Sequence, residues 1–111
     1  MSLADKICEP CRGGTPPLPS TEQVQLLREL KGWEMIDSHH LSRTITFPDF
    51  AKALELVVKI GELAEEVGHH PDILLSWGRV KIDIWTHKID NLTEADFVLA
   101  AKIDKIAPAL S

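Results

Sequence analysis

The chain has 111 residues, of which 44% are hydrophobic and 26% are charged, and its formal net charge is −5. These values are typical of one compact domain, and an acidic balance without a local Lys/Arg cluster argues against direct binding of nucleic acid. No apolar run approaches the roughly 18 residues of a membrane span, and no secretory signal pattern is visible, so we predict a cytoplasmic protein without a membrane partner.

Residues 1–19 are predicted to form a Pro/Gly-rich N-terminal arm that precedes a folded domain over residues 20–111. The arm contains Cys8 and Cys11 as a single CxxC motif. A structural zinc site needs four ligands, and a thioredoxin-like pair would open a helix after a strand. We therefore interpret both cysteines as reduced thiols, while a metal site shared between chains stays open.

The domain begins with a predicted helix that starts at a Ser20–Gln23 capping box and ends at Gly32. Its inner face carries Leu26, Leu27 and Leu30. Two strands follow, over WEMID and LSRTITF, with SHH as the turn between them. The second strand shows the period-two alternation of a half-buried strand. The residues on its apolar side are Leu41, Arg43, Ile45 and Phe47.

A second predicted helix starts at Pro48 and Asp49 and ends at Gly68, a natural left-handed terminator. We predict that one apolar stripe faces the core. This stripe consists of Phe50, Ala53, Leu54, Val57, Gly61 and Ala64. After the His-His-Pro corner, ILLS and VKIDIWT predict a second hairpin that turns near Trp77 and Gly78.

Thr93 is predicted to cap a last helix over residues 94–107, which has apolar residues on two sides. One side carries Ala95, Leu99, Ile103 and Ile106, and the other carries Phe97, Ala100 and Ala101. A helix with two apolar faces usually has a second partner, so we predict self-association. The order α-β-β-α-β-β-α predicts an α+β fold, a four-stranded antiparallel sheet with three helices packed on one face.

The stretch GHHPDILLSW places two histidines side by side where a predicted helix gives way to a strand. Both imidazoles can reach the same space there, because Pro71 restricts His70 to extended backbone angles. Glu65 precedes His69 by four residues, so its carboxylate is predicted to lie beside that imidazole and orient it.

His87 ends the second strand of the predicted hairpin, and Asp96 lies in the first turn of the last helix, where the macrodipole favours a carboxylate. Each residue alone has an ordinary explanation, as a loop histidine or as the acidic partner of Thr93 in a capping box. Three histidines and two carboxylates at the ends of neighbouring elements together indicate general acid–base catalysis.

Two other kinds of site are weaker interpretations of the same residues. Histidines and carboxylates also bind zinc or iron, but adjacent histidines converge on one ion less well than the HExxH spacing does, so we predict no metal. Ser76 and Thr86 are nucleophiles by type, but neither lies in an elbow-like motif.

The segment EEVGHHPDILLSWGRVKIDIWTHKIDNLTEAD resembles the signature of the pterin-4a-carbinolamine dehydratase family. The residues that match it in spacing are Glu65, His69, His70, Pro71, Trp77, His87 and Asp96. The resemblance extends upstream through GWEMI and RTITFPDFAKALELV, so it covers about residues 20–107.

The resemblance implies the same sheet with three helices, and a reaction that needs neither metal nor cofactor. In that reaction a 4a-hydroxytetrahydropterin, made by aromatic amino-acid hydroxylases, loses water to give quinonoid dihydropterin. The implied catalytic residues are His69, His70 and His87, with His69 and His87 as the acid/base pair and His70 mainly holding the pterin ring. The implied supporting residues are Glu65 and Asp96, and those implied for substrate binding are His70, Trp77 and Thr86. Core packing is the alternative role for Trp77.

The resemblance also implies homodimers or homotetramers. Members of the family additionally stabilise a transcription factor's dimer or assist the assembly of another enzyme, so a non-catalytic binding module is the alternative function. Two residues depart from the pattern: Gly68 stands where several members have an acidic residue, and Trp85 stands where a smaller residue often precedes Thr-His.

Overall fold

The computed structural model describes residues 19–30, 32–37 and 39–107. The elements in these ranges are α1 (Ser20–Leu27), β1 (Glu34–Ile36), β2 (His40–Thr46), α2 (Phe50–Val67), β3 (Asp72–Ser76), β4 (Arg79–Ile84) and α3 (Glu94–Ile106). The strands form one antiparallel sheet in the order β1-β2-β4-β3, which confirms the predicted fold class. Cys8 and Cys11 lie outside the described residues, as does the predicted arm up to residue 18.

The sheet has one face buried against the helices and one open face. Buried residues of β2 face buried residues of β4 in register, in the pairs Leu41–Ile84, Arg43–Ile82 and Ile45–Val80. The alternation predicted for β2 is therefore confirmed. Thr44 pairs with Lys81 on the open face, and both side chains are exposed. None of the helices in the described ranges is long and apolar enough to cross a membrane.

The predicted start of α1 is wrong in its capping residue. Pro19 is the N-cap, in extended conformation, and no side chain caps the helix. The Pro19 carbonyl accepts the Gln23 N–H at 3.0 Å, so Ser20 is already the first helical residue and forms no capping box. The helix ends at Leu27, well before Gly32. The predicted inner face packs against the core with Leu26, Leu27 and Leu30.

The ends of α2 lie where the sequence predicts them. The Asp49 side chain accepts a hydrogen bond from the Lys52 N–H at 2.8 Å, and Gly68 closes the helix in the left-handed conformation with φ of 70°. The predicted apolar stripe is partly wrong, since Phe50 and Leu54 are each 43% exposed. The buried residues of α2 are Ala53, Leu56, Ile60 and Ala64. Apolar residues occur on more than one side of this helix, so periodicity alone did not identify the side that packs on the sheet.

Both apolar sides of α3 are buried within the same chain. Its buried apolar residues are Ala95, Phe97, Val98, Leu99, Ala100, Ala101 and Ile103. The helix packs on α2 and on β2, and the capping box predicted at Thr93 is present, with Asp96 as its acidic member. Because one chain covers both sides, α3 gives no indication of a second partner, and self-association stays a prediction.

Candidate active site

The segment that follows α2 and the segment that follows β4 border one cavity of about 260 Å³. Its lining includes His69, His70, Trp85, Thr86 and His87. The three histidines that the sequence singles out therefore border the same space. A larger cavity of about 370 Å³ lies at the β2–α2 corner, but no histidine lines it.

His69 is held by a buried carboxylate. Its Nε2 lies 2.6 Å from Oδ1 of Asp96, which is fully buried. An ionised carboxylate only accepts hydrogen bonds, so Nε2–H is the donor, and Nδ1 is the ring nitrogen that stays available for proton exchange. The other oxygen of Asp96, Oδ2, accepts the Thr86 hydroxyl and the Thr93 N–H, both at 2.8 Å. Asp96 therefore belongs to the capping box and also orients His69.

Glu65 contacts Nε2 of His70, and the predicted pairing of Glu65 with His69 is wrong. The i, i+4 rule assumes that the helix continues, whereas the left-handed turn at Gly68 takes His69 off the helical path toward α3. The side chains of His70 and Glu65 are 59% and 78% exposed, so water screens this pair and it contributes little to stability.

His87 lies in the loop after β4, which is closed by a bridge between Thr86 and Asn91 with an N–H···O distance of 2.9 Å. Its side chain is 54% exposed, and Nε2 lies 3.9 Å from Oδ1 of Asp72. Thr86 borders the cavity but is almost fully buried, and its hydroxyl donates to Asp96. The substrate-binding role predicted for Thr86 stays a prediction, and its observed contact is with the carboxylate that holds His69.

Trp77 lies at the turn between β3 and β4, at the end of the hairpin opposite His70 and His87. It is 71% exposed and does not line the cavity of this chain. Trp85 borders the cavity instead, with its ring centroid 4.3 Å from that of His87. From the sequence, Trp85 was noticeable only as a large residue directly before Thr-His.

Each cavity histidine has its own carboxylate, in the pairs His69–Asp96, His70–Glu65 and His87–Asp72. In the part of the chain that the structure describes, no three His, Cys, Asp or Glu side chains are placed to hold a metal ion. Separate imidazole–carboxylate pairs around one cavity are suited to moving protons at several positions of a bound molecule.

Comparison with known proteins relates this site to a family. A family model described as pterin 4 alpha carbinolamine dehydratase matches residues 16–106. The chain belongs to the pterin-4-alpha-carbinolamine dehydratase family. A relative in Rubrobacter xylanophilus is 56% identical over 104 residues, covering 94% of this chain and 97% of its own, and one in Alkaliphilus metalliredigens is 54% identical over 105 residues, covering 94% and 95%. Both carry the name "Putative pterin-4-alpha-carbinolamine dehydratase".

Two solved structures have the same fold as this chain. A transcriptional coactivator/pterin dehydratase from Brucella melitensis superposes with a TM-score of 0.78 at 31% identity, covering 84% of this chain and all of that one. A pterin dehydratase-like protein described as a RuBisCO assembly factor in the alpha-carboxysome gives a TM-score of 0.60 at 25% identity, covering 69% of this chain and 90% of that one. The names of these two structures thus describe a pterin dehydratase, a transcriptional coactivator and an assembly factor on one fold.

Proposed function

We propose that this chain dehydrates 4a-hydroxytetrahydropterins to quinonoid dihydropterins by general acid–base catalysis. The observation that carries the proposal is the meeting of three imidazoles around one cavity, one of them fixed by the buried carboxylate of Asp96. The names of its relatives give independent support, since all those cited above refer to pterin dehydratases or to proteins like them.

The reaction needs two proton transfers, one to the 4a-hydroxyl oxygen and one from N5, and both of these atoms are bonded to C4a. The bond between C4a and its hydroxyl oxygen breaks as the oxygen receives a proton and leaves as water. The N5–H proton is removed, and its electron pair forms the C4a=N5 double bond of the product. In our proposal His69 and His87 act on opposite sides of C4a, one as acid and one as base, and such assistance contributes about 10²–10⁴ in rate.

The remaining residues of the proposed site have supporting roles. His70 is exposed at the rim of the cavity, which suits a contact with the pterin ring more than proton transfer. Asp96 keeps His69 in one ring orientation and one tautomer. Its carboxylate can only accept a hydrogen bond, so the proton of the neutral imidazole stays on Nε2. Trp77 has no role in this proposal, since it is remote from the cavity of its own chain.

The test follows dehydration of a freshly generated 4a-hydroxytetrahydropterin by ultraviolet absorbance, against the spontaneous rate. Wild type should accelerate the reaction, and His69→Ala should lose about 10² or more of the enzymatic rate. Glu55→Ala, an exposed site on α2, is the control and should match wild type. A folded wild-type protein that adds nothing to the spontaneous rate would contradict the proposal.

A binding role is the second candidate, and the outer side of α2 favours it. Phe50, Leu54 and Val58 are spaced four residues apart and are 43%, 43% and 51% exposed, so they form an apolar stripe on the surface of a single chain. This stripe is available to another copy in the predicted homodimer or homotetramer, or to a different protein. The predicted cytoplasmic location stays a prediction in either case.

A further inference from the structure

The chain holds the rings of its two proposed acid–base histidines in different ways. The side chain of His69 is 13% exposed and its Nε2 lies 2.6 Å from a fully buried carboxylate. The side chain of His87 is 54% exposed, and its carboxylate neighbour Asp72 lies at 3.9 Å and is itself 57% exposed. A solvent-exposed pair at that distance does not fix a ring in one orientation. Another contact must therefore hold His87 if it transfers protons.

Trp85 provides that contact. The ring centroids of Trp85 and His87 are 4.3 Å apart and their planes are inclined by 54°. This distance is slightly shorter than the roughly 4.5–7 Å usual for interacting aromatic rings, so the two rings are in direct contact, and the indole also borders the cavity. Only Thr86 separates the two residues along the chain, and its backbone is fixed by the bridge to Asn91. The indole and this bridge therefore limit the directions that the His87 ring can take.

Trp85 is also close to two histidines outside the family signature. The ring centroids of His39 and His40 lie 5.5 and 5.7 Å from that of Trp85. The Nδ1 atoms of His39 and His40 are 3.1 Å apart, within hydrogen-bond distance. Nε2 of His39 lies 2.7 Å from Oδ1 of Asp90, in the same loop as His87. His39 thus contacts both the indole and the loop that carries His87.

We infer that Trp85 is the positioning residue of His87: its indole, supported by His39 and His40, holds the imidazole toward the cavity. The inference rests on the proposed function, in which His87 transfers a proton to or from the pterin. It assigns a role to Trp85, which directly precedes Thr-His at a position where a smaller residue is often found. Trp85 acts through His87, so its removal should lower kcat while substrate binding stays nearly unchanged.

The first test compares Trp85→Leu and Trp85→Phe with wild type in the dehydration assay. Trp85→Leu should lower kcat about tenfold to a hundredfold, the scale expected when a reacting group is misplaced, while KM changes less than about threefold. Trp85→Phe keeps a ring beside His87 and should recover most of the rate. Val24→Ala removes an exposed apolar side chain on α1, away from the cavity and from the α2 stripe, and is the control. A rise in KM alone, or an unchanged kcat in Trp85→Leu, would overturn the inference.

The second test does not depend on activity. Nuclear magnetic resonance of the imidazole protons, with the His87 signals assigned by their loss in His87→Ala, reports whether the indole shields that ring. We expect shielded His87 signals in wild type that move toward unshielded positions in Trp85→Leu, with the His69 signals unchanged. Circular dichroism and a thermal melt establish that each variant is folded, and Trp85→Met, which also lacks a ring, serves if Trp85→Leu is not folded. His87 signals that are the same with and without the indole would refute the positioning role.

The two tests separate this inference from the proposed function. A wild-type protein without dehydratase activity refutes the proposed function and, with it, the positioning role in that reaction. The resonance comparison still shows in that case whether the ring contact exists. Wild-type activity that Trp85→Leu retains in full overturns the inference alone and leaves the dehydratase proposal standing.

Discussion

Asp96 is the residue on which both the local fold and the proposed chemistry depend. Its carboxylate is fully buried and is contacted by His69, Thr86 and the Thr93 backbone. Buried carboxylates need such donors, because an ionised group without them is costly to bury. One side chain thus links the end of β4, the start of α3 and the segment after α2.

We predict that Asp96→Asn destabilises the protein and also slows dehydration. The amide presents an N–H₂ group to donors that need an acceptor, which should cost about 1–3 kcal/mol in the free energy of unfolding. The loss of the His69 anchor should reduce kcat about tenfold or more, measured in the dehydration assay below the melting transition. Asp49→Asn is the matched control, since Asn caps a helix about as well as Asp. Equal kcat in Asp96→Asn and wild type would contradict the orienting role.

Two glycines allow a residue-scale test with opposite signs. A Cβ added at Gly78 would lie 2.9 Å from the Phe47 carbonyl oxygen, whereas nothing lies within 4 Å of a Cβ added at Gly61. Gly78→Ala should therefore destabilise by about 1–3 kcal/mol, because backbone must move. Gly61→Ala lies inside α2 and should stabilise by about 0.5–1 kcal/mol. Urea unfolding measures the change in the free energy of unfolding for each variant. Changes of the same sign would contradict the conclusion that a side chain is crowded at Gly78 and unhindered at Gly61.

At the scale of elements, a buried ion pair connects the sheet to α3. Arg43 on β2 and Asp104 on α3 are in contact, with side chains 7% and 12% exposed, and the Trp33 Nε1–H donates to Asp104 at 2.8 Å. A buried charge without a partner is strongly destabilising, so each of these two groups depends on the other. The pair also joins two elements that are distant in sequence.

Asp104→Ala should destabilise by about 3–5 kcal/mol, because it takes the carboxylate away from a buried guanidinium. Glu55→Ala breaks an exposed i, i+4 pair with Lys59 on α2 and should cost less than about 0.5 kcal/mol. Chemical denaturation of the two variants compares a buried pair with an exposed one in the same protein. A similar loss in both would mean that the Arg43–Asp104 contact contributes no more than a surface pair.

The elements whose signals are local were predictable from the sequence. Period-two alternation identified β2, and Asp49 and Gly68 identified both ends of α2, because strands, caps and left-handed terminators are specified by a few adjacent residues. The buried side of α2 was not predictable in this way, since Leu54 and Leu56 are equally apolar and only the sheet selects between them.

The sequence identified the residues of the candidate site better than it identified the contacts between them. His69, His70, His87 and Asp96 were singled out by residue type at element ends, and three of them line the cavity. The carboxylate that orients His69 lies 27 residues away along the chain, and spacing rules for one helix pointed to Glu65 instead. The neighbourhood of Trp85 depends on strand pairing between β2 and β4, which the sequence does not specify residue by residue.

The whole molecule combines a site at one end of the sheet with an apolar stripe along α2. The stripe begins at Phe50, at the end of α2 opposite His69, and none of its three residues lines the cavity. Catalysis and assembly are thus compatible in one chain. Leu54 and Val58 are exposed to water in an isolated chain, and the free energy falls when a second surface covers them.

We predict that wild type forms a homodimer or homotetramer through this stripe and that Leu54→Glu lowers the assembled mass. A charge at the centre of an apolar interface cannot be buried without a partner, so association weakens. Sedimentation equilibrium measures the mass, and Lys52→Glu, a charge change at another exposed position of α2, is the control and should leave it unchanged. A monomeric wild type, or an unchanged mass in Leu54→Glu, would exclude the stripe as a self-association surface and leave a different protein as its partner.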